Sequence, residues 1–149
     1  MQLQPLPRKP RTSTLLRRLF KSADVKDFIE QNEDSFDVPE LSAHLCRLCK
    51  ERGQKREAVI QRASIERTYG YQLFNGTRKP SRDKVLQLAF GFGLTLEETQ
   101  KLLQIAEKSP LYPRLKRDAA VIYCLERRCG LTEAQTLLYD LELPILGDE

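Results

Sequence analysis

The sequence predicts an all-α fold. A five-helix domain occupies residues 37–108, a basic arm with short amphipathic helices precedes it at 1–36, and a helical extension follows at 109–149. Three observations predict this. Apolar residues recur at three- and four-residue spacing from Leu41 to Leu141, and no alternating run reads as a strand. Helix-start signals stand before the apolar runs: Asp37 with Glu40, Ser81, and Thr95 with Glu98. The segment Asn75-Gly76-Thr77-Arg78-Lys79-Pro80-Ser81 ends one helix and starts the next. Asn and Gly tolerate positive φ, and Pro80 restricts the residue before it.

Taken in order, Pro5, Pro7 and Pro10 keep the first eleven residues extended or disordered. A short basic helix is expected at 13–21, with Leu15, Leu16, Leu19 and Phe20 at helical spacing. A second is expected at 24–32, carrying Val25, Phe28 and Ile29. The first helix of the domain starts at Asp37, buries Leu41, Leu45 and Leu48, and stops at Gly53. The second covers 55–63, with Val59, Ile60 and Ala63 inward, and the third covers 66–74. Ser81 caps a fourth at 82–91, and Thr95 with Glu98 opens a fifth at 96–107. Two more are expected at 114–129 and 133–141, the last started by Thr132 with Gln135 and ended by Pro144. The pair must bury its apolar stripe, either on the fifth helix of its own chain or in a homodimer. No internal repeat stands out.

Composition narrows the function. The 149 residues are 40% hydrophobic and 31% charged, as in a soluble globular protein. No apolar run approaches the roughly eighteen residues of a membrane span, and no secretory signal follows the basic N-terminus. A cytoplasmic location with reduced cysteines is the expectation. There is one histidine, His44, and neither a phosphate-cradling glycine loop nor a nucleophile–base set is visible. No enzyme activity and no cofactor are expected. Cys46-x-x-Cys49 with Cys124 and Cys129 leaves zinc, redox sensing and core packing open. Their helical setting favours packing. His44 falls on a polar face or boundary of its helix.

Charge is unevenly distributed. Residues 1–22 carry six basic and no acidic residues, and 23–46 carry one basic and seven acidic. Residues 47–82 carry ten basic and three acidic, and the remainder eight and eleven. A concentrated positive block is what a polyanion needs.

Within that block, residues 55–74 give two short helices joined by a tight turn near Ala63-Ser64-Ile65. Such a pair needs a small residue for close packing, which Ala58 or Ala63 supplies, and a polar outward face on its second helix. Residues 45–103 resemble the XRE-type, phage-repressor-like helix-turn-helix family. The match runs through Leu45-x-x-Leu48, Arg52-Gly53, Ala58-Val59-Ile60 and Asn75–Ser81, then Leu86-x-Leu88-Ala89 and Gly93-Leu94-Thr95-Leu96-x-Glu98.

The resemblance implies a bacterial or phage-type transcriptional regulator that binds double-stranded DNA. It makes the third helix the recognition helix, offering Glu66, Arg67, Thr68, Tyr69 and Gln72 to base edges. It places Lys55, Arg56, Thr77, Arg78 and Lys79 beside phosphates.

Two departures stand out. Lys55 and Arg56 occupy positions where the family has a capping Ser or Thr followed by Gln. Gly70, between Tyr69 and Tyr71, replaces an apolar residue. Three readings fit the second: a tyrosine turns inward, the glycine permits close approach of DNA or a neighbouring helix, or the helix serves a protein partner. The competing function is therefore an adaptor of the same fold that holds a signalling or regulatory protein. The basic arm at 8–21 is open to a DNA groove, a solubilising role or an anionic membrane.

Overall fold

The computed structural model describes residues 11–32 and 40–147, which divide into two units. The first is a helical hairpin of α1 (Thr12–Lys21) and α2 (Val25–Gln31). Asp24 caps α2 by accepting from the Lys26 N–H, and Arg18 donates to the Asn32 side chain at 2.8 Å across the hairpin. The proline-bearing segment 1–10 lies outside the described residues.

The second unit comprises α3 (Leu41–Arg52), α4 (Arg56–Arg62), α5 (Arg67–Asn75), α6 (Arg82–Phe92), α7 (Leu96–Ile105), α8 (Lys116–Glu126) and α9 (Leu131–Asp140). The described residues are helical with no strands, and the class is all-α. One continuous apolar core runs through the unit, from Leu45 and Leu48 through Val59, Phe74, Leu88 and Leu102 to Val121, Leu138 and Leu146. The apolar stripe of the C-terminal helices is thus buried within its own chain.

Local chemistry explains most of the helix boundaries. Ser81 caps α6 through the Lys84 N–H, and Thr95 with Glu98 closes a reciprocal capping box at the start of α7. Two expected starts differ. Glu40, without a side-chain bond, stands at the head of α3, and Asp37 lies outside the described residues. Helix α9 begins earlier than expected, with Gly130 at its cap position and no side-chain cap. Gln135 does not cap α9, because its amide is used elsewhere. It donates to the Leu146 carbonyl and accepts from the Leu146 N–H, both at 2.8 Å.

That clamp exposes an internal repeat that the sequence reading missed. Gln100 makes the same pair of bonds to Leu111, 35 positions earlier, at 2.9 and 2.7 Å. Arg82 donates to the carbonyls of Ser109 and Pro110, and Arg117 donates to those of Pro144 and Ile145. Glu107 and Glu142 share a left-handed turn at φ 58°. Residues 116–147 are therefore a second copy of 81–112.

The two copies clasp each other. Arg82 donates to both Asp118 carboxylate oxygens at 3.0 and 2.9 Å, and Arg117 donates to both Asp83 oxygens at 2.9 and 2.8 Å. The Tyr112 N–H bonds to Asp118, and the Gly147 N–H bonds to Asp83. Residue i of one copy meets j of the other while j meets i, which is the signature of a two-fold arrangement. The repeat is faint in sequence because most matching positions are apolar. The recurring Arg-Asp and Gln positions carry the identity.

Candidate nucleic-acid interface

Helices α4 and α5 are joined by Ala63, Ser64 and Ile65, with Ser64 at φ 52°. Buried contacts hold this turn from behind. The Gln87 amide donates to the Ala63 carbonyl at 2.9 Å, and Arg62 donates to the Gly91 carbonyl at 2.9 Å. A Cβ on Gly91 would stand 2.6 Å from the Val59 carbonyl oxygen and 3.0 Å from the Ala63 Cβ. The close α4–α6 packing thus depends on Gly91 and Ala63 together. Ala58 is only half-buried. Nothing local in the sequence marks Gly91 for this role, because Val59 and Ala63 meet it only through tertiary packing.

Gly70 answers the question raised by its neighbours. It is buried, and a Cβ there would lie 2.6–2.8 Å from three side-chain carbons of Ile60. The apolar bulk missing from the middle of α5 is supplied by α4. Close approach of the neighbouring helix is the reason for the glycine.

Tyr69 and Tyr71 are half-buried against the core edge, and cations lie over both rings. The Arg78 guanidinium lies 4.3 Å from the Tyr69 ring centroid, with the Lys84 ammonium 5.9 Å away. Arg56 and Arg67 lie 5.7 and 5.6 Å from the Tyr71 centroid. The Tyr71 hydroxyl donates to Glu57 at 2.7 Å, which ties α5 to α4. That bond, followed by the nearby backbone and cations, holds Glu57 below its ordinary carboxylate value. Neither Glu57 nor Lys84 was singled out from sequence, because each meets its tyrosine only through tertiary contact.

The expected base-reading residues fall on one exposed end of α5. Arg67 and Thr68 are exposed in its first turn, and Tyr69 and Gln72 are half-buried beside them. Glu66 is exposed but turned back on the helix. Its carboxylate accepts the Thr68 and Tyr69 N–H groups at 3.0 and 2.8 Å, and these bonds keep it ionised below its ordinary range. Lys55 and Arg56 sit at the start of α4, exposed. Thr77, Arg78 and Lys79 form the exposed turn after α5, beginning at Gly76 with φ 81°. The Thr77 hydroxyl is engaged by the Asn75 side chain at 2.8 Å.

Ion pairing separates two kinds of arginine within the basic block. Arg47, Arg52 and Arg82 are paired with Glu51, Glu98 and Asp118, and Arg62 is tied to a backbone carbonyl. Among the described residues, Lys55, Arg56, Arg67, Arg78 and Lys79 have no salt-bridge partner. These five exposed cations flank α5.

The remaining candidates resolve differently. His44 is buried, contrary to the polar or boundary position expected. The Arg47 guanidinium lies 2.7 Å from its Nδ1. Burial and then the Arg47 and Lys101 charges hold its pKa below 6.5. Cys49 and Cys124 are buried, and burial raises both thiols, Cys124 to about 11. Among the described residues no group of three or more His, Cys, Asp or Glu is placed to hold a metal ion.

A two-helix unit with a tight turn, set in five helices with exposed cations around α5, has the architecture of a helix-turn-helix domain. A family model for a helix-turn-helix domain matches residues 40–102, from the head of α3 into α7. This segment is a helix-turn-helix domain of the XRE/Cro-type group. At a general level such a domain points to a DNA-binding regulator. No curated protein and no solved structure matches the chain significantly. No helix among the described residues is long and apolar enough to cross a membrane.

Proposed function

We propose that the protein is a sequence-specific, DNA-binding transcriptional regulator of bacterial type. It works in the cytoplasm, without a cofactor, by laying the start of α5 in the major groove. Arg67 suits a bidentate contact with guanine and Gln72 one with adenine, while Thr68 and the Tyr69 edge approach neighbouring bases. Glu66 acts mainly by fixing the first turn of α5. Lys55, Arg56, Arg78 and Lys79, with Thr77, position the domain on phosphates. The observation that carries this reading is the cluster of five exposed cations, Lys55, Arg56, Arg67, Arg78 and Lys79, around α5.

The test is affinity for pooled duplex fragments across a salt series, followed by selection of the preferred sequence. Four phosphate-facing cations give a log–log slope of about −3 to −4. Absence of binding at low salt would rule this reading out and leave the adaptor reading, in which α5 holds a protein. Binding with a steep slope but no selected sequence would remove the base-reading roles.

A further inference from the structure

The two copies of the repeat differ in what lies over them. In the first, Pro80, just before α6, and Gln87, Leu88 and Gly91 on α6 are all buried, with Gln87 and Gly91 packed against the end of α4. Moving 35 positions along turns these into Leu115, just before α8, and Ile122, Tyr123 and Glu126 on α8. Here the stripe is open. Leu115 is 54% exposed and Tyr123 49% exposed, with Glu126 exposed and Ile122 half-buried. The surface on which the first copy seats a helix is therefore vacant on the second.

We propose that this face is a homodimer interface, on which α8 packs antiparallel against α8 of a second copy. The face is self-complementary. Antiparallel pairing centred on the level of Val121 sets Lys116 opposite Glu126 of the second copy, twice over, at the two ends. It also sets the small Ala119 opposite the large Tyr123. Both charges stand against the preference of their own helix. A cation in the first turn and an anion in the last turn oppose the macrodipole. A second, antiparallel α8 supplies the missing complement at each end, and its dipole runs the opposite way. A foreign partner would not require one stripe to match itself.

The test is sedimentation of the full chain over a range of concentrations, without DNA, so the outcome is independent of what α5 reads. The wild type is expected to show a monomer–dimer equilibrium. Lys116→Glu and Glu126→Lys each place like charges together at both ends and should weaken the dimer about tenfold or more. The double variant restores the pairing and should recover the dimer. Each reversal suits the helix dipole, so α8 should stay folded, which far-ultraviolet circular dichroism checks. A wild-type chain that stays monomeric to about 1 mM overturns the proposal. So does a dimer that neither single variant weakens, or one that the double variant fails to recover.

Discussion

Gly70 of α5 and Ile60 of α4 fill one space between them: the position a Gly70 Cβ would occupy is 2.6 Å from the Ile60 Cγ2. Helix propensity alone favours alanine over glycine by about 1 kcal/mol. The overlap should outweigh it, because Ile60 is buried and β-branched and has little room to yield. Gly70→Ala is expected to lower stability by about 1–3 kcal/mol in urea unfolding. Adding Ile60→Val should recover part of the loss. An alanine variant more stable than wild type would refute the packing account.

The reciprocal clasp predicts an order of effects. The Asp118 side chain is 4% exposed and Asp83 13%. Truncating Asp118 leaves the Tyr112 N–H without its acceptor and Arg82 without its carboxylate, with only the Ser109 and Pro110 carbonyls remaining, in the less hydrated site. Asp118→Ala is expected to cost about 3–5 kcal/mol and Asp83→Ala about 1–3 kcal/mol. Equal losses, or the reverse order, would contradict the burial argument.

Asp83 also carries an acid-side effect. Burial opposes its ionisation, but the bonds from Arg117 and the Gly147 N–H outweigh burial and hold its pKa below 3.8. Its contribution is present above that value and lost as the pH falls through the folded value. Urea midpoints of wild type and Asp83→Asn should therefore differ at neutral pH and converge as the pH falls below the folded value.

His44 acts at milder pH. Its folded pKa lies below 6.5, so the unfolded chain binds the extra proton first. Its contribution is complete above 6.5 and declines as the pH falls toward the folded value. Urea midpoints should drop between about pH 7.5 and pH 5.5. His44→Gln, which keeps an acceptor for Arg47 but does not titrate, should flatten that drop. An unchanged slope would assign the effect to other groups.

Arg67 and Lys79 should separate reading from positioning. Arg67→Ala is expected to cost about 1–3 kcal/mol on the preferred sequence and to relax one base position. Lys79→Ala should weaken all sequences alike and reduce the salt slope by about 1. Selection on randomised duplexes, with titration at several salt concentrations, checks both. A relaxed base preference from Lys79→Ala would exchange the two roles.

The helices were legible wherever local chemistry sets them. Thr95 with Glu98 and Ser81 bond to the N–H groups that sequence spacing had assigned to them. Errors arose where a side chain has a distant partner. Gln135 had the spacing of a cap and was drawn off by Leu146, and His44 had a polar neighbourhood in sequence but a buried one in space. The candidate interface follows the same division. Arg67, Arg78 and Lys79 were identifiable from their position in the motif. That Glu66 is used as a cap, and that Glu57 and Lys84 meet the tyrosines, was not.

The sequence by itself determined the all-α class, the order of the helices and the helix-turn-helix segment, because period, caps and breakers act over three or four residues. The tertiary structure decided why Gly70 is tolerated, which arginines in the basic block are paired, and that 116–147 repeats 81–112. Apart from the local Arg47–Glu51 pair, those depend on contacts between residues 10 to 64 positions apart, such as Ile60 with Gly70 and Asp83 with Gly147. Such contacts arise only once the helices pack, and no local pattern encodes them.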